Sequence, residues 1–143
     1  MASPKDVARQ WMDAFNAHDE GRMGELTAED ATMSAPGDIE LTGRDAVTGY
    51  AMAWLNAFPD ARINVHQELA DGPSVAQRFT FEGTHTGPLE SPAGTIPATG
   101  RRLTGRGIQL LQIDGDEASE VALYFDQVQV LTQLGLMPEP ARA

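Results

Sequence analysis

The hydrophobic period of this chain changes at Pro59, and that change limits what it can fold into. Before Pro59, apolar side chains recur every three or four residues. Val7, Trp11, Phe15 and His18 share one helical face; Val47, Tyr50, Trp54 and Phe58 share another. After Pro59 the pattern alternates. Residues 62–69, 74–86, 103–113 and 120–126 read as strands, separated by "DGPS", by a glycine- and proline-rich loop over 87–100, and by "DGDEAS". Helices followed by strands on tight turns predict an α+β domain, with helices packed on one face of a mostly antiparallel sheet.

Local signals fill in the rest. Ser3, Pro4 and Asp6 have the order of an N-cap, a first helical position and a capping box. "NAHDEGR" breaks this helix before a short second one over 22–26, and "DATMSAPG" reads as a strand. Thr42 is the expected cap of the next helix, with Asp45 in the capping-box position, and Pro59 ends it. A last helix over 127–134 stops at Gly135. The 143 residues fit a single domain over 1–143, with a frayed tail at 138–143.

Several functions are disfavoured. The chain has no cysteine, so disulfides, thiolate nucleophiles and Cys-ligated zinc are out. A net charge of −11 argues against a nucleic-acid partner, and the one basic cluster (Arg101, Arg102, Arg106) reads as a solvated loop or strand edge. No apolar run approaches the ~20 residues of a membrane span, and the N-terminus lacks the order of a signal peptide. The expectation is a soluble cytoplasmic protein. His18, His66 and His85 lack metal-ligand spacing, so no metal site is expected.

Two residues stand out. Asp126 follows an apolar strand and precedes a helix. It reads as a pocket carboxylate with a pKa raised by desolvation, as an N-cap for the helix, or as a solvent-facing edge residue. His85 shares a strand face with Val75, Phe79, Phe81 and Gly83, and reads either as a pocket hydrogen-bonding group or as a packed histidine.

"WLNAFPDARINV", "FEGTHTGPL", "IPATGRR" and "YFDQVQVLTQLGLMP" occur in this order and spacing. Together they make the chain resemble the SnoaL-like polyketide cyclases, or SnoaL-like ester cyclases, of the nuclear transport factor 2-like superfamily. The resemblance implies a cone: a strongly curved sheet around helices, with a pocket at the open end. It implies an intramolecular aldol ring closure on a hydrophobic polyketide-like molecule, with no metal and no organic cofactor. The alternatives on the same fold are an epoxide-opening or hydroxylation-type enzyme and a non-catalytic binding domain. The family's acid/base aspartate falls on Asp126, with His85 as its expected polar partner. Tyr50, Trp54 and Phe58 become one pocket wall, and Phe79 and Phe81 the other. Some relatives carry a histidine on the preceding strand. Here that strand reads "GRGIQLLQIDG", so Gln109 or Gln112 takes the inward position, and Gln112 is counted among the substrate-binding residues. The resemblance also implies a homodimer through the outer sheet face. The apolar residues behind that expectation are Phe79 and Phe81 on one strand face, and Leu111 and Ile113 on another.

Overall fold

The computed structural model describes residues 2–91 and 94–137. Helix α1 (Pro4–Asn16) starts at the capping box read from the sequence: Ser3 Oγ accepts from the Asp6 N–H at 3.2 Å, and Asp6 Oδ2 accepts from the Ser3 N–H at 3.1 Å. Two of the helix's orphan N-terminal donors are thereby satisfied. Its buried face carries Val7, Trp11 and Phe15. His18 lies beyond the helix end at a positive φ and is exposed. Helix α2 (Glu20–Glu25) is capped by Asp19.

Strands β1 (Thr27–Ala35) and β2 (Ile39–Thr42) form a hairpin that precedes helix α3 (Arg44–Ala57). Thr42 is therefore a strand residue paired with Thr32, and the α3 cap is Gly43, at φ 104° with no side-chain hydrogen bond. The remaining order is β3 (Arg62–Asp71), β4 (Ser74–Thr84), β5 (Leu89–Ser91), β6 (Gly94–Ile96), β7 (Arg102–Asp114), β8 (Glu117–Phe125) and α4 (Gln127–Gln133). The β5–β6 hairpin occupies the segment expected to be loop. The frayed-tail expectation for 138–143 falls outside the described residues.

Six strands form one curled sheet in the order β2-β1-β8-β7-β4-β3. All neighbours are antiparallel except β1 and β8, which run parallel. Alternation sorts the faces. On β4, Val75, Gln77, Phe79, Phe81 and Gly83 are buried, and His85 continues that row. On β7 the inward row is Leu103, Gly105, Gly107, Gln109, Leu111 and Ile113. Helices α1 and α3 fill the concave side, and their apolar faces join these rows in one buried cluster. This is the α+β architecture read from the sequence. Phe79, Phe81, Leu111 and Ile113 all belong to the core, which corrects the basis given for pairing through the outer face. The exposed apolar residues of β7 and β8 are Ile108, Leu110 and Tyr124.

Two glycines let the sheet close on its contents. At Gly107, opposite Phe79 in the β4–β7 ladder, a Cβ would lie 2.8 Å from Phe79 Cζ and 2.8 Å from the Tyr124 carbonyl. At Gly105, opposite Phe81, a Cβ would meet nothing within 4 Å. The ladder between β7 and β8 starts at Gly107, so among the described residues the first part of β7 has no strand on that side. Helix α4 covers it. Gln133 Oε1 accepts from the Thr104 N–H at 2.8 Å, and its Nε2 donates to the Thr104 carbonyl at 2.9 Å, in place of a strand.

Candidate active site

The open side of Gly105 is a cavity. Its aromatic walls come from α1 (Trp11, Phe15), α3 (Tyr50, Trp54), β4 (Phe79, Phe81) and β8 (Phe125). Leu103 and Val130 are among its aliphatic lining, and Gln109 and Arg106 add polar groups. The rings are locked edge to face. Trp54 lies 5.7 Å from Phe81 at 72° and 5.7 Å from Phe125 at 85°, and Phe15 lies 6.5 Å from Phe81. Such pairs fix ring orientation beyond what area burial alone would do. Burial pushes the Tyr50 phenol above its ordinary range, so it remains a neutral hydrogen-bonding group. The free volume is about 70 Å³, below the ~300–1,000 Å³ typical of ligand sites. A multi-ring molecule therefore enters only as lining side chains move.

Of the residues singled out from the sequence, Tyr50, Trp54, Phe79 and Phe81 line this cavity. Phe58 does not. It is fully buried behind the wall, stacked on Trp54 at 5.7 Å and on His85 at 5.0 Å. Gln112 is also outside the lining: its Oε1 accepts from Ser74 Oγ at 2.9 Å on the other face of the ladder, and Gln109 holds the inward position.

His85 is fully buried but outside the cavity lining. Its Nδ1 lies 3.0 Å from Thr99 Oγ1 and accepts from the Thr99 N–H at 3.3 Å. An accepting Nδ1 leaves the hydrogen of the neutral ring on Nε2, which has no partner among the described residues. Burial lowers the pKa of the imidazole, favouring that neutral form. Backbone bonds to Arg101 and Gly100 complete the anchorage. In this position His85 pins the chain entering β7.

Asp126 is exposed and is the N-cap of α4, with Oδ1 accepting from the Gln129 N–H at 3.0 Å. Oδ2 has no hydrogen bond among the described residues. Asp126 itself is outside the cavity lining, although Phe125, which precedes it, and Val130, in the helix it caps, belong to that lining. The apolar burial expected of it from Tyr124, Phe125 and Val128 is absent, because Tyr124 and Val128 are themselves exposed.

Trp11, Phe15, Gly105 and Phe125 are cavity residues that sequence reasoning did not assign to a pocket, and Gln109 is the one of the two candidate glutamines that faces it. For Gln109 a signal existed: it shares strand parity with Leu111 and Ile113. For Trp11 and Phe15 the helical stripe showed burial without showing that it faced a void. Among the described residues no three His, Asp or Glu side chains converge on a metal-sized site. No helix among them is long and apolar enough to cross a membrane.

Comparison with known proteins places this cavity in context. The chain is 28% identical over 141 residues to the aklanonic acid methyl ester cyclase DnrD of Streptomyces peucetius, covering 94% of this chain and 92% of that one. Its fold matches IdmH of Streptomyces antibioticus, a proposed polyketide cyclase, with a TM-score of 0.77 at 26% identity, covering 94% of this chain and 99% of that one. It also matches AclR of Streptomyces galilaeus, a proposed hydroxylase, with a TM-score of 0.79 at 22% identity, covering 97% and 89%. The sequence profile of the SnoaL-like polyketide cyclases matches residues 5–134. The chain belongs to the SnoaL-like polyketide cyclase family.

Proposed function

We propose that this protein closes a ring on a hydrophobic, polyketide-type small molecule by acid/base chemistry, without a cofactor. The observation that supports the reading is the aromatic cavity lined by Phe125 and Val130, which flank in sequence the helix cap Asp126, an exposed carboxylate whose Oδ2 has no hydrogen bond among the described residues. In the step envisaged, Asp126 Oδ2 takes a proton from a carbon next to a carbonyl. The resulting enolate carbon attacks a second carbonyl of the same molecule, and the new alkoxide recovers the proton from the Asp126 carboxyl. One carbon–carbon bond forms and no net proton is consumed. The cap bond at Oδ1 supports this role by holding the carboxylate in one orientation. A ligand covering it would also dry the group and raise its basicity.

The test is Asp126→Asn. Asparagine caps a helix about as well as aspartate but cannot carry the proton. The expected result is an unchanged melting temperature and a turnover lower by about 10²-fold or more on a polyketide ester that the wild type cyclises. Full activity in Asp126→Asn would remove Asp126 from the chemistry.

A further inference from the structure

Gln77 and Gln109 are direct partners across the β4–β7 ladder, on the concave face. Gln77 is fully buried, and Gln109 is 5% exposed and lines the cavity. Each carries one atom without a hydrogen bond among the described residues: Oε1 of Gln77 and Nε2 of Gln109. One is an acceptor and the other a donor. Buried polar groups without partners are uncommon, and each calls for a reason.

The orientation of Gln77 is set from outside. Its Nε2 donates to Glu68 Oε2 at 3.3 Å, and a carboxylate can only accept, so the amide cannot be reversed. Glu68 is held in turn through its Oε1 by Arg9 Nε at 2.7 Å. A tether thus runs from the α1 surface through Glu68 to Gln77 and stops at an unused carbonyl oxygen. Directly opposite that residue is the amide with the unused N–H groups. Directly opposed side chains on one sheet face are close enough to interact.

We propose that Gln109 is the donor that fixes a ligand oxygen in the cavity, and that Gln77 is its positioning residue. One Gln109 N–H turns to Gln77 Oε1, and the other meets a carbonyl or enolate oxygen of the ligand. The inference rests on the cavity being the ligand site. A wall built of aromatic and aliphatic groups holds any flat apolar molecule, whereas a buried amide left without its acceptor rejects a ligand that lacks the oxygen. The pair therefore selects oxygenated ring systems over hydrocarbons of the same shape.

The experiment uses 1-tetralone and tetralin, two-ring molecules of similar shape that differ by one carbonyl. Affinity is read from tryptophan fluorescence, since Trp11 and Trp54 line the cavity. The side-chain amide signals of 15N-labelled full chain, with Gln109 assigned through Gln109→Leu, report contact. We expect tetralone to bind roughly tenfold tighter, the worth of one well-made buried hydrogen bond, and to shift the Gln109 amide signals where tetralin does not. In Gln109→Leu the preference disappears while tetralin binds as before. In Gln77→Leu it falls several-fold, again with tetralin unaffected. Gln109→Leu should melt no lower than wild type, because an apolar side chain replaces a buried amide with an unused group, whereas Gln77→Leu also gives up the bond to Glu68 Oε2 and should melt somewhat lower. Equal binding of the two probes by wild type, or full preference in Gln109→Leu, overturns the role of Gln109 and leaves the cavity reading intact. Full preference in Gln77→Leu overturns the positioning role. Binding of neither probe overturns the inference together with the cavity reading. If a variant does not fold, the wild-type affinity ratio and amide shifts decide alone.

Discussion

Gly105 and Gly107 differ by two positions on one strand face, yet alanine or valine should move stability in opposite directions at the two sites. A Cβ at Gly105 projects into free space, and Gly105 has no left-handed φ that a larger side chain would strain. Gly105→Val adds three carbons to the cavity, worth about 2 kcal/mol at ~0.8 kcal/mol per buried carbon. Removing glycine from a strand adds ~0.5–1 kcal/mol. Unfolding entropy of ~2.1 cal/mol/K per residue makes 2 kcal/mol about 7 °C for a chain of this size. At Gly107 a Cβ would press on the Tyr124 carbonyl, which is backbone, and on the end of Phe79. Gly107→Ala should cost ~1–3 kcal/mol, the usual scale of overpacking. Thermal denaturation followed by circular dichroism measures both shifts. Binding of tetralin, read by tryptophan fluorescence, measures the cavity. Gly105→Val should melt higher and bind tetralin at least tenfold more weakly, because it occupies the same space. Gly105→Val melting below wild type, or binding tetralin unchanged, would refute the assignment of this space as the ligand site.

Two further predictions follow from buried and exposed groups. Burial depresses the His85 pKa below its ordinary 6.5, so below that pH the unfolded chain binds a proton that the native chain does not. The stability this group confers is present above pH ~6.5 and is lost as pH falls from there toward the folded-state pKa. His85→Gln should therefore flatten the fall in melting temperature from pH 7 to about 5, and an unchanged slope would count against a buried neutral imidazole. Ile108, Leu110 and Tyr124 leave an apolar patch on the outer sheet face. Pairing of two copies through it predicts a two-chain mass in sedimentation and a one-chain mass for Tyr124→Glu, and a wild-type monomer at micromolar concentration would remove that pairing.

The sheet was legible because its alternation is strong: Val75, Phe79 and Phe81 of β4, and His85 just beyond it, fall on one face with a period of two. The β1–β2 hairpin was not, because Ile39–Thr42 is too short to show a period, and Thr42 has the chemistry of a cap that the preceding strand overrides. The parallel pairing of β1 with β8 joins segments some ninety positions apart, and no local pattern encodes it. At the site, spacing located the aromatic stripes and the family resemblance made them pocket walls, but neither showed what lay behind them. Phe58 and Trp54 belong to the same helical stripe, yet only Trp54 borders the void. Phe58 packs against the wall residues Trp54 and Phe81 and stacks on His85, which is also outside the lining, and that last contact depends on how the chain bends after β4. Asp126 shows the same limit from the other side. A strand-to-helix junction calls for a cap and a proton-transfer site calls for a carboxylate, and aspartate satisfies both with identical sequence. The structure commits one oxygen to the cap and gives the other no hydrogen bond among the described residues. The two roles are therefore compatible here, and only a substitution that keeps the cap while removing the proton can separate them.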